Sequence, residues 1–333
     1  MQVVLQPIAL LLIIAAGYIM KRTKIVTEQG YRVLEQAIIW LTLPADIVYS
    51  FTVNDPEHSM LWISVFGFVC ALIPIPFYFL ITRHRSITQR FFLMINGSGS
   101  NVGNFTFPVI QALMGMGAIL PSVMYDIGNC IVVSATSNAV TSAMLKIPAD
   151  RPLKDVIEVD ENGNEHVRVE TQDPDAVRIA KRHQRMAVLK SFLTSPSFDV
   201  YILLIILLLF GIRLPQGVAT FLKPIADANT FCSMAMIGML MELPTSKRET
   251  KQVAEVFGWR LGFSLLFVAA SFLLPFDMKT RTIVAISTLS PASIFATMFT
   301  DKALGDAKSA GFTLTLTCIS SLIIMTIIYF VAI

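Results

Sequence analysis

Asn96-Gly-Ser-Gly-Ser-Asn-Val-Gly-Asn-Phe-Thr-Phe-Pro108 interrupts a stretch, 90–114, that is otherwise apolar enough to cross a bilayer. At that depth every backbone polar group must find a partner, because no water is present to supply one. Gly97, Gly99 and Gly103 weaken the helix, and Pro108 removes one N–H and clashes with the carbonyl four residues back. Asn96, Asn101 and Asn104 carry short amides that can bind the freed backbone or a ligand. A lipid-facing helix would not tolerate this composition, whereas an unwound segment lining a cavity would.

The rest of the chain supports a membrane setting. Of 333 residues, 54% are hydrophobic and only 15% charged, where a soluble domain would carry roughly a quarter charged. The charges cluster in short segments separated by apolar stretches of the length needed to span ~30 Å of hydrocarbon. Ten spans are predicted: 3–20, 33–53, 60–81, 90–114 and 119–145, then 198–214, 217–242, 253–275, 280–300 and 306–333. Met1–Met20 lacks a basic n-region and a cleavage site, and reads as a retained first span. The organisation is thus a first five-helix unit (1–145), a polar linker (146–194) and a second five-helix unit (195–333). Five is odd, so the second unit starts from the opposite side, and two similar units would form an inverted repeat, a frequent plan of secondary transporters.

With the N-terminus outside, 22 of the 26 Lys and Arg residues fall in inside loops, and discounting the long linker leaves 13 against four. The positive-inside rule then puts both termini outside and the linker in the cytoplasm, the host being a plasma or inner membrane. This assignment leaves no basic residue inside a span. Within the linker, 156–169 alternates with period two around Asn162-Gly163, a hairpin signal; the stretch 175–190 reads as a basic helix. A lone hairpin is marginal in water, so it is expected to pack on that helix or on a partner.

The ninth span repeats the theme of the fourth, with Ser287-Thr-Leu-Ser-Pro291-Ala-Ser-Ile-Phe. Two helices broken at the midplane and crossing would aim two half-helix N-termini at one cavity, where exposed N–H groups and dipoles favour an anion. With no buried cation expected, recognition would fall to N–H groups, amides and hydroxyls. Two intramembrane carboxyls, Asp46 and Asp126, add to the candidates, the latter with Asn129 at helical spacing. An ionised Asp at mid-bilayer costs about 2.5–3.5 kcal/mol, so each is a possible proton carrier or, alternatively, a neutral acid satisfied by its neighbours.

Several classes are disfavoured. No G-x-x-x-x-G-K-[ST] loop argues for primary active transport. No His lies in a span, no H-E-x-x-H occurs and no nucleophile–base pair stands out, so a catalytic site, a metal and a cofactor are not expected, and the chain does not read as an enzyme. The four cysteines are scattered through apolar stretches and read as inert. The basic residues sit where topology puts them, so nucleic acid is not an expected partner; lipid is.

In order along the chain, Gly17-Tyr-Ile-Met-Lys-Arg, Leu43-Pro44-Ala45, Ser100-Asn-Val-Gly-Asn-Phe-Thr-Phe-Pro108 with Gly115, Asp126 with Asn129, and Leu289-Ser-Pro291-Ala-Ser together resemble the auxin efflux carrier family, which includes bacterial malate and malonate permeases and plant auxin exporters. The resemblance implies an all-α fold of ten transmembrane helices in two inverted repeats, elevator-like motion, and a small organic anion held at a crossing. Asn101, Gly103, Asn104 and Pro108 would flank that anion on one side, and Ser290, Pro291 and Ser293 on the other. It is also compatible with a homodimer. The chain departs from the family in lacking a proline before Gly238, in carrying Asp46 where an apolar residue is usual, and in its long linker. Rival readings on the same plan are a proton- or sodium-coupled ion exchanger, in which the Asp residues would dominate, and a ligand-binding membrane sensor.

Overall fold

The computed structural model describes residues 2–27, 30–148, 151–160, 165–167, 182, 186, 196–244 and 246–332. It is mostly helical. The first half runs through α1 (Gln2–Arg22), α2 (Tyr31–Ala37), α3 (Leu43–Val53), α4 (Leu61–Leu72), α5 (Pro74–Ile81), α6 (Ile87–Gly97), α7 (Phe107–Met114), α8 (Leu120–Ile131) and α9 (Ser137–Met144). The second half comprises α10 (Pro196–Leu209), α11 (Gln216–Leu240), α12 (Lys247–Ser271), α13 (Met278–Thr288), α14 (Ile294–Leu304) and α15 (Ala307–Ala332).

Prolines explain several joints. Pro44 and Pro108 cannot donate to the helical ladder, and each follows a five-residue π-helical turn, Ile38–Thr42 and Val102–Thr106, that shifts the hydrogen-bond register before it. Pro74 separates α4 from α5 in the same stretch. At the other end of the scale, α12 begins ahead of its apolar run because Ser246 caps it, accepting the Glu249 N–H at 3.2 Å.

Among the described residues, six stretches are long and apolar enough to cross a membrane: Leu5–Arg22, Tyr31–Val53, His58–Ile81, Met116–Ser134, Glu249–Ser271 and Ala307–Ala332. The other four expected spans fall short for physical reasons. Two are interrupted, α10 has 14 residues, and α11 carries Lys223, Asp227, Asn229 and Thr230 among its apolar neighbours. Large apolar side chains face outward on many elements, among them Leu12, Trp40, Trp62, Leu80, Phe210, Phe221 and Leu273. Water would not tolerate so extensive an apolar exterior, and a bilayer requires it.

Packing inside is close where side chains vanish. On α1 and α11, Gly17 lies under the Ala235 carbonyl and Gly238 under that of Ile14, so a methyl at either would overlap the facing backbone. Gly67 and Gly128 bring α4 and α8 together in the same way, against Tyr125 and Ser64. The main apolar core includes Ile47, Phe105, Phe107, Val123, Ile237 and Ile283. A second cluster gathers Tyr78, Phe91, Phe92, Val253, Val256 and Ala296.

Strands β1 (Ile157–Val159) and β2 (Glu165–Val167) pair antiparallel, Ile157 opposite Val167 and Val159 opposite Glu165. The pair docks on the start of α6, where the Glu165 carboxylate accepts the Thr88 N–H at 2.9 Å. Leu153 and Val156 sink into the second cluster beside Phe91 and Phe92. The Asn162-Gly163 turn and nearly all of the expected helix over 175–190 lie outside the described residues.

Candidate functional site

Two helices come apart, and their breaks touch. Helix α6 stops at Gly97 and helical geometry resumes at Val102; α13 stops at Thr288 and α14 starts at Ile294. Gly99 has φ +61°, a left-handed conformation that suits glycine, and a Cβ there would press on Val133. The breaks are joined directly by the Asn101 N–H, which donates to the Pro291 carbonyl at 3.0 Å. Thr106 and Ser290 share a hydroxyl–hydroxyl bond of 2.5 Å.

Because a break frees backbone groups that cannot be left dry, the partners of each group define the site. Arg260 of α12 takes the carbonyls. Its Nη1 donates to Asn96 O (3.2 Å), Ser98 O (3.4 Å) and Gly99 O (2.8 Å). Its Nη2 donates to Ser290 O (3.1 Å) and, at 3.5 Å, to Ser100 Oγ. Asn129 of α8 holds the Ser100 backbone on both of its peptides, its Oδ1 accepting the Ser100 N–H (3.0 Å) and its Nδ2 donating to Ser100 O (2.8 Å). On the other break, the Ala292 N–H donates to Thr317 Oγ1 at 3.1 Å. Past these anchored peptides a helical turn begins at Val102, and the first N–H groups of a helix have no intrahelical acceptor.

A cavity of about 280 Å³ lies against the two resuming helices. Ser100, Asn101, Gly103 and Asn104 line it from the first break, Ser293 and Ile294 from the second, Asp126, Asn129 and Cys130 from α8, Tyr201 from α10 and Met236 from α11. Two amide groups on its wall are orphaned: Asn101 Nδ2 and Asn104 Oδ1 are buried with no hydrogen-bond partner. Asp126 is engaged through both oxygens, accepting from Asn129 Nδ2 at 2.8 Å and from the Tyr201 hydroxyl at 2.6 Å.

Of the residues singled out from sequence, Asn101, Gly103, Asn104, Ser293, Asp126 and Asn129 share this cavity. Pro108, Ser290 and Pro291 do not line it. Pro108 starts α7, while Ser290 and Pro291 stand behind the wall at the contact between the breaks. Asp46 belongs to a separate buried network. Gln111 Nε2 reaches its two oxygens at 2.6 and 2.8 Å, Asn229 Nδ2 donates at 3.1 Å, and Thr42 and Thr230 brace the two amides. That network ties α3, α7 and α11 together.

Arg260 corrects the expectation that no basic residue lies inside a span. It is 7% exposed, mid-way along α12, and bonds both breaks. The available signal was Arg260 as the one basic residue in the apolar run 253–275, since buried charges are retained only when paired. Taking Arg260 out of the inside tally leaves 12 against four, so the charge bias keeps its direction. Tyr201, at the start of an apolar helix, had no comparable signal.

Residues 3–329 match the family described as membrane transport protein, so the chain belongs to that family, the auxin efflux carriers, and is a multi-pass membrane transporter. The family is one of transporters and no catalytic family is indicated. No curated protein matches the chain.

Proposed function

With membership of the auxin efflux carrier family as premise, we propose that this transporter carries a small organic carboxylate, bound where the fourth and ninth of ten transmembrane helices break and cross. The observation that carries the reading is that the resuming ends of both broken helices line one cavity, together with the buried Asn101 Nδ2 donor, which lacks a partner. Each helix N-terminus presents the equivalent of about half a positive charge and first-turn N–H groups that lack intrahelical acceptors, although on α14 the Ser293 hydroxyl already accepts the Phe295 N–H at 3.2 Å. A carboxylate satisfies both, and the cavity's volume of about 280 Å³ suits a small one.

The remaining architecture follows the same reading. Breaks at matching positions in the two halves support an inverted repeat of two five-helix units, with both termini outside and residues 146–194 in the cytoplasm, as the charge bias requires. Elevator-like alternating access rests on the family resemblance. No cofactor is called for.

A second reading, proton-coupled ion exchange, draws on Asp126, which lines the same cavity. The test is a thermal-shift screen of mono- and dicarboxylates on purified protein, followed by flux of any stabilising compound into liposomes containing only this chain. Saturable, carboxylate-dependent flux is expected. Stabilisation by inorganic cations alone, with no carboxylate flux, would replace the carrier reading with the exchanger.

A further inference from the structure

An unwound segment exposes carbonyl oxygens as readily as N–H groups, so a break alone does not choose the sign of its ligand. Here the sign has been chosen by where the carbonyls are sent. Gly99 O and Ser98 O turn toward Arg260, and across the contact Ser290 O turns toward the same guanidinium. Each peptide is planar, with its C=O and N–H on opposite sides. Drawing Gly99 O to Arg260 at 2.8 Å therefore sends the Ser100 N–H the other way, to Asn129 Oδ1 at 3.0 Å on the cavity wall. Arg260 itself does not line the cavity.

We infer that Arg260 is a specificity-determining residue: by gathering the Asn96, Ser98, Gly99 and Ser290 carbonyls of the two breaks onto one buried guanidinium, it keeps these backbone acceptors from turning toward the cavity and so makes the site select a carboxylate over its neutral isostere. This deepens the carboxylate-carrier reading and rests on it. The geometry needs a fork. The two nitrogens divide the work, Nη1 serving the fourth-helix break and Nη2 the ninth. A lysine ammonium in the same place is a single donor centre and would reach one set of carbonyls at a time. The residue also opposes the helix dipoles correctly, since a cation belongs at the C-terminal ends of α6 and α13.

The experiment compares benzoate with benzamide, of nearly equal shape, on purified wild type, Arg260→Gln and Arg260→Lys, with hydrogen–deuterium exchange over 96–106 and 286–294 as a readout that needs no ligand. Wild type is expected to prefer benzoate at least about tenfold. In Arg260→Gln the preference should collapse to about twofold or less, with exchange in both segments faster and exchange elsewhere unchanged; Arg260→Lys should fall between. If Arg260→Gln keeps the wild-type preference and slow exchange, the inference is wrong. If Arg260→Gln does not fold, Arg260→Lys decides, and full preference in that variant overturns the need for a fork. A wild type indifferent between the probes is a different result, and it removes the carboxylate reading along with the inference.

Discussion

Asn101→Ala distinguishes a binding residue from a packing residue because the two roles demand opposite signs. Asn101 is 6% exposed, its N–H is taken by Pro291, and its Nδ2 has no partner. An unpaired buried donor costs about 1–3 kcal/mol. Deleting the amide relieves that cost in the empty protein, so the unliganded variant should melt at or above the wild-type temperature. The carboxylate complex, by contrast, loses a hydrogen bond to a charged group, about 1.5–3 kcal/mol. At about 1.4 kcal/mol per decade, affinity should fall roughly 10- to 100-fold. Scanning fluorimetry without ligand and calorimetric titration with the best carboxylate from the screen measure the two effects separately. A lower melting temperature with unchanged affinity would make Asn101 a packing residue and refute the reasoning.

Flux should separate the two transport readings: on the carboxylate-carrier reading Asn101→Ala lowers carboxylate flux about tenfold or more and Asp126→Asn lowers it less, with the reverse order favouring the exchanger. At Gly103 even a Cβ would come within 3.2 Å of Leu43 and 3.3 Å of Asp126, so Gly103→Leu should fill the cavity and abolish transport while the chain still inserts; wild-type flux in that variant removes Gly103 from the site. A tag at residue 165 should be labelled only from the cytoplasmic side, and labelling of intact cells would invert the proposed topology.

Much of the candidate site was legible because membrane burial makes polarity conspicuous. Asn101, Gly103 and Asn104 stood out in an apolar run, and the structure gathers them with Ser293, Asp126 and Asn129 around one cavity. Pro108 and Pro291 correctly mark where helices give way, but a proline acts through the N–H it lacks, so both lie at or behind the joint instead of in the cavity wall. Asp46 drew attention for the same reason as Asp126, yet its partners, Gln111 and Asn229, lie on helices far away in sequence, and only three-dimensional packing reveals a closed network. Arg260 was the clearest omission: counting charges by loop assumed the answer for each charge counted.

On the carboxylate reading, Asp126 sets a problem that its neighbours answer. Two like charges about 5 Å apart at an effective dielectric constant near 20 repel by about 3 kcal/mol, comparable to what an amide hydrogen bond to the substrate returns. A carboxylate in the wall of an anion site must therefore give up its proton-free charge when the site fills, or have that charge drawn off. Tyr201 and Asn129 donate to its two oxygens, and Asn129 spends its remaining hydrogen and its oxygen on the Ser100 peptide. The same amide that quiets Asp126 thus holds the broken backbone in place. The hydrogen bonds run without a gap from Asp126 to Asn129 and the Ser100 backbone, and the neighbouring Asn101 N–H bonds Pro291 of the second break. One side chain thus joins the cavity carboxyl to the backbone of the first break, next to the bond that ties the two breaks.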